Sequence, residues 1–134
     1  MIIFTDIPLQ DDDRWSWLDK MRQKIISETQ KSSLERKEYL VISCSALKKV
    51  YRDRFRNIPD VKTRFIFLDG SFELLEQRML TRKNHYMKVD MLKSQFDTLE
   101  VPKDDENDVI TIPLADERFK DNNFILNRLF INSK

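Results

Sequence analysis

Apolar positions along this chain come in short bursts, and their spacing alternates between helical and strand-like. Asp11–Asp13 give an acidic start, and Trp15, Leu18, Met21 and Ile25 follow at three- and four-residue steps, which predicts an amphipathic helix. Gln30–Glu38 is polar and predicts a loop. Tyr39–Ser43 (YLVIS) is a brief apolar run with β-branched residues, which predicts a buried strand. Ala46–Phe55 returns to helical spacing, with Leu47, Val50, Tyr51 and Phe55 on one face, and Pro59 breaks the pattern within Asn57–Lys62. Arg64–Leu68 (RFIFL) predicts a second strand, ended by Asp69 and Gly70. Phe72–Arg82 is helical, with Phe72, Leu75 and Met79 aligned, and Lys88–Phe96 forms another short helix. An acidic loop over Val101–Asp108 leads to a third strand, Val109–Ile112, and a closing helix, Phe119–Phe130.

Strands separated by helical segments imply parallel pairing through crossover helices, so the class is α/β, in one domain covering residues 1–134. Continuous apolar strands such as YLVIS and RFIFL expect cover on both faces and neighbours on both sides. Three short strands supply few such neighbours, and Met1–Phe4 adds only a short apolar start. The sheet therefore reads as incomplete.

Composition narrows the picture. A chain of 134 residues is long enough to bury a core, and 40% apolar residues with nine Phe, two Trp and three Tyr exclude a disordered chain. The net charge of +1 gives no bulk field for nucleic acid or an anionic membrane. Cys44 is the one cysteine, which excludes an internal disulfide and fits a reducing compartment. No apolar run approaches the ~20 residues of a membrane span. These features predict a soluble, cytoplasmic protein.

Four segments could carry chemistry. In Ile7–Trp15 the plain reading is a helix N-terminus with stabilising carboxylates and Arg14 in solvent. Ser45 and Lys48 follow directly after a predicted strand, where parallel sheets gather ligands, although a cap and a surface lysine would also explain them. Cys44 has no His or Asn partner nearby and reads as a small buried hydrophobe. In Leu68–Ser71, Gly70 as a turn and Ser71 as an N-cap account for the residues without any function. The fourth segment is the basic cluster of Arg78, Arg82, Lys83 and His85. Arginines four apart share a helix face and repel, so either a phosphoryl group offsets that repulsion or the face is simply solvated.

Together these segments resemble gluconokinase, the small P-loop kinase family that phosphorylates gluconate on its 6-hydroxyl. The matching pieces are IPLQDDDRWSWL (Ile7–Leu18), CSALKKVYRD (Cys44–Asp53), LDGSFELL (Leu68–Leu75), RKNHYM (Arg82–Met87) and LKSQFDTLE (Leu92–Glu100). They stand in the family's order and spacing over about Ile7 to Ile112. The resemblance implies a parallel sheet between helices, as in shikimate and nucleoside monophosphate kinases, ATP with Mg²⁺ as cofactors, and often a homodimer. Carried over by position, Arg14, Ser45, Lys48 and Gln95 are substrate-side contacts. A lid over about residues 78–100 brings Arg78 and Arg82 to the nucleotide and Arg82, Lys83 and His85 to the chemistry. No residue of this chain is assigned to a metal. Asp6, Ser16, Asn84 and Tyr86 depart from the family's usual Gly, Pro, Gly and Phe.

The largest departure is at the front. The chain holds one glycine, Gly70, and no G-x-x-x-x-G-K-[ST], so the pattern is entered after the family's first strand and phosphate loop. Phosphoryl transfer depends on amides, a loop lysine and Mg²⁺ around the β- and γ-phosphates. Loss of one preorganised donor costs ~10²–10³ in rate, so loss of the whole loop predicts no turnover. Two readings follow: a truncated gluconokinase, or a short non-catalytic protein that binds a sugar-acid anion or a full-length kinase subunit. A basic-helix interaction module on Leu47–Arg56 is disfavoured by the near-zero net charge.

Overall fold

A computed structural model of the chain describes residues 11–81 and 89–131. These form two compact units: a helical unit of residues 11–63 with 97–101, and a strand unit of 64–81, 89–96 and 102–131.

In the helical unit, α1 (Asp11–Thr29) opens with three carboxylates, Asp11, Asp12 and Asp13, which favour the positive end of the helix dipole. It buries Arg14 and Leu18. The short helix α2 (Lys49–Arg56) buries Tyr51, Arg52 and Phe55. The two helices pack together, with the Trp15 and Tyr51 rings edge to face at 5.5 Å. Arg52, only 4% exposed, donates to the carbonyls of Ala46 (3.0 Å), Leu47 (3.1 Å) and Glu100 (3.1 Å). Lys48, the N-cap of α2, makes no side-chain cap, and the Glu100 carboxylate accepts the Lys49 N–H at 2.9 Å instead. One buried guanidinium and one distant carboxylate thus fix where α2 begins.

The strand unit pairs β1 (Phe65–Asp69) and β2 (Val109–Pro113) in parallel, in register from Phe65↔Val109 to Asp69↔Pro113. Between them run α3 (Phe72–Thr81) and α4 (Val89–Thr98), the crossover that parallel strands require. The Ser71 hydroxyl accepts the Leu74 N–H at 3.1 Å, the N-cap anticipated for α3. A Cβ at Gly70 would lie 3.0 Å from Leu114 Cδ1, so a larger residue there would require that side chain to shift. Phe72 and Phe96 meet edge to face at 5.5 Å, joining α3 to α4.

Four expectations change. Tyr39–Ser43 is neither strand nor buried: Tyr39 is 63% and Val41 93% exposed, because among the described residues no strand pairs with this run. RFIFL is covered on one side only, with Phe65 and Phe67 half-buried and Ile66 and Leu68 exposed. The closing helix is broken in two. A 3₁₀ turn (Glu117–Lys120) ends at extended Asp121, whose carboxylate accepts the Asn123 N–H at 2.9 Å and starts α5 (Asn122–Ile131). On the expected helical face of Ala46–Phe55, Val50 is half exposed, whereas Tyr51 and Phe55 are buried.

Leu18 is 1% exposed and Leu34 97% exposed. Leu18→Ala is expected to lower the free energy of unfolding by about 2–5 kcal/mol through lost burial and a cavity. Leu34→Ala is expected to change it by less than about 0.5 kcal/mol. Urea titration of the two variants checks the difference.

Candidate functional site

Helical geometry places Asp11 and Arg14 on one face of α1, three residues apart. Lys48 stands at the start of α2, three residues before Tyr51. The four side chains meet within the helical unit. The Lys48 ammonium lies 3.0 Å from both carboxylate oxygens of Asp11. The Tyr51 hydroxyl donates to Asp11 Oδ1. Arg14 Cζ and Lys48 Nζ lie 5.8 and 5.7 Å from the Tyr51 ring centre, within cation–π range.

Burial grades outward through this cluster. Tyr51 is fully enclosed and Arg14 is 8% exposed, while the side chains of Lys48 and Asp11 are 28% and 53% exposed. Hydrogen bonds from Tyr51 and then Lys48 hold the Asp11 carboxyl below its ordinary range. The Asp11 hydrogen bond raises the Lys48 ammonium, and burial, followed by the same carboxylate, raises the Tyr51 phenol. Among the described residues Arg14 makes no hydrogen bond or ion pair; it stands over the Tyr51 ring, and its charge helps to lower the Asp11 carboxyl. Two cations against one carboxylate leave the cluster positive. Arg14 is therefore not the solvated arginine of the plain sequence reading, because the α1–α2 packing encloses it.

Of the residues anticipated from sequence, Arg14 and Lys48 are brought together, and half-buried Ser45 sits just ahead of α2 with its carbonyl accepting the Leu47 N–H at 2.9 Å. Arg78 is exposed on α3 and donates to the Leu114 carbonyl at 3.1 Å. Gln95 is half-buried on α4. Arg82, Lys83 and His85 lie outside the described residues. Sequence reasoning missed Asp11 and Tyr51 as members of the cluster. It took the first as a helix-start carboxylate and the second as a core residue, and each is both. The signal was present in two i, i+3 pairs, Asp11/Arg14 and Lys48/Tyr51, each joining a charge to a second polar group.

With the geometry in hand, comparison with solved structures points to a class: the chain is similar to an unliganded sugar kinase from Janibacter sp. HTCC2649, with 34% identity, TM-score 0.74, and coverage of 92% of this chain and 66% of that one. It is similar also to a gluconokinase from Sinorhizobium meliloti 1021, with 35% identity, TM-score 0.74, and coverage of 95% and 69%. Among curated proteins it is 45% identical over 116 residues to a probable gluconokinase of Saccharomyces cerevisiae, covering 84% of this chain. No protein-family profile matches the chain. The chain belongs to the gluconokinase family. It spans 58% of the length of the yeast relative.

Cys44, next to this cluster in sequence, is pushed up to about 11 by burial, which outweighs the opposing charge of Arg14. At pH 8 its thiolate fraction is then about 10²-fold below that of an ordinary thiol. Iodoacetamide is expected to alkylate folded Cys44 about 10²-fold more slowly than the urea-unfolded chain, as followed by mass spectrometry.

Proposed function

We propose that this chain supplies the gluconate-binding side of a gluconokinase, the enzyme that transfers the γ-phosphoryl group of ATP to the 6-hydroxyl of D-gluconate, giving ADP and 6-phosphogluconate. Arg14 is the observation that carries this reading. Arg14 is only 8% exposed and bonds to no carboxylate among the described residues, Asp11 acting on it through charge alone, which leaves guanidinium donors available to an anionic ligand. A carboxylate matches its forked donors. The polyol chain of gluconate then meets Lys48, Asp11 and Ser45, which offer donors and acceptors to hydroxyl groups. In the same reading Gln95 contacts the substrate, Arg78 and Arg82 serve the nucleotide, and Arg82, Lys83 and His85 serve the phosphoryl group in transfer.

The described residues do not fit Mg²⁺–ATP. They contain no glycine-rich phosphate loop and no group of three His, Cys, Asp or Glu side chains able to hold a metal ion. These 134 residues by themselves are thus proposed to bind gluconate without phosphorylating it. A second reading, in which the chain associates with a full-length kinase subunit, is favoured by the exposed apolar run Tyr39–Ile42.

Calorimetry with the purified chain is expected to show saturable gluconate binding without ATP, weakened about tenfold or more in Arg14→Met. Absence of binding to the unaltered chain would overturn the proposal. Incubation with ATP, Mg²⁺ and gluconate is expected to yield no 6-phosphogluconate, and its formation would refute the claim of inactivity.

A further inference from the structure

We infer that Tyr51 and Asp11 act as a positioning pair for Lys48, holding its ammonium where it reads the hydroxyl groups of a bound sugar acid. The inference rests on the gluconate reading for its ligand and on separate geometry for its parts. Lysine carries its charge on a flexible four-carbon stem and loses much rotamer freedom when fixed. Lys48 is nevertheless held by both oxygens of Asp11, each at 3.0 Å. Asp11 is itself half exposed at the first residue of a helix, a weak anchor on its own. The rigid member is Tyr51, whose ring is wholly buried and whose hydroxyl fixes Asp11 Oδ1. Rigidity therefore passes from the core through the phenol and the carboxylate to the ammonium.

Two observations argue against a merely stabilising role. A partly exposed ion pair contributes little to stability. Packing against Trp15 and Arg14 uses only the ring of Tyr51, so phenylalanine would serve equally, and the hydroxyl is spent on Asp11. Lys48 is also excused from capping its own helix, since Glu100 accepts the Lys49 N–H. Its ammonium has three protons, of which one can be shared by the two Asp11 oxygens and one faces the Tyr51 hydroxyl. The remainder can be donated to a ligand hydroxyl, while Asp11 keeps lone pairs to accept from another. Arg14 would then recognise the carboxylate common to all acids, and the Asp11–Lys48 pair would distinguish a polyhydroxy acid from a plain one.

The test compares gluconate with hexanoate, an acid of the same chain length without hydroxyls, by calorimetry on the 134-residue chain and on Tyr51→Phe and Asp11→Asn. The preference for gluconate over hexanoate is expected to fall about threefold or more in both variants, with hexanoate affinity unchanged in Tyr51→Phe, which alters no charge. Equal losses for the two acids, or an unchanged preference, would overturn the inference. A second readout needs no ligand: competitive acetylation of Lys48 relative to exposed Lys20, read by peptide mass spectrometry. Release of the ammonium in Tyr51→Phe is expected to raise Lys48 labelling about threefold or more, and an unchanged ratio would also overturn the positioning role. If the unaltered chain binds neither acid, the gluconate reading fails, and the acetylation ratio alone decides whether Tyr51 positions Lys48.

Discussion

Burying polar atoms at the tips of large side chains is the constraint on which the helical unit depends. Tyr51 is enclosed entirely, and its hydroxyl must find a partner or carry a desolvation cost of a few kcal/mol. The partner is Asp11, so the start of α1 is tied to the middle of α2. Arg52 faces the same demand and meets it with three carbonyls, two just ahead of α2 and one at Glu100. The positions of Lys48 and Ser45 follow from those bonds, because both residues lie in the segment that Arg52 and Glu100 hold. The cluster proposed to bind substrate is therefore assembled by the packing of α1 on α2.

The strand unit obeys a different constraint. Its two parallel strands satisfy each other along one edge, and the Phe65 N–H to Asp108 and Leu114 N–H to Asp69 bonds extend that ladder at both ends. Ile112 is buried, but Ile66 and Leu68 remain exposed. Tyr39–Ile42 in the helical unit shows the same mismatch between apolar sequence and exposed surface. A β-branched run becomes a strand only when another strand takes up its backbone hydrogen bonds, and the described residues supply none for this one.

Much of the fold was legible in the chain because its signals are local. The three-residue acidic start and the Trp15, Leu18, Met21, Ile25 spacing located α1, and RFIFL and Val109–Ile112 located β1 and β2 to within a residue. Ser71 was legible as a cap for the same reason: a hydroxyl reaches an amide three residues on whatever surrounds it. The break at Asp121 is also local, yet the apolar spacing of Phe119–Phe130 masked it. Of the residues proposed for the site, Arg14, Ser45 and Lys48 were singled out through family resemblance, whereas Asp11 and Tyr51 were not. Their link spans forty residues, and no periodicity records it.

The sequence by itself determined the α/β class, the parallel order of helices and strands, the family, and the residue types that could hold an anion. Spacing, capping and propensity act within a few residues, and five matching blocks in order specify a family before any folding is considered. Only the tertiary structure decided that Arg14 is enclosed, that Tyr51 meets Asp11 and, through it, Lys48, and that YLVIS pairs with no strand among the described residues. Burial and strand pairing depend on which distant segments are present to meet, and that is a property of the packed chain.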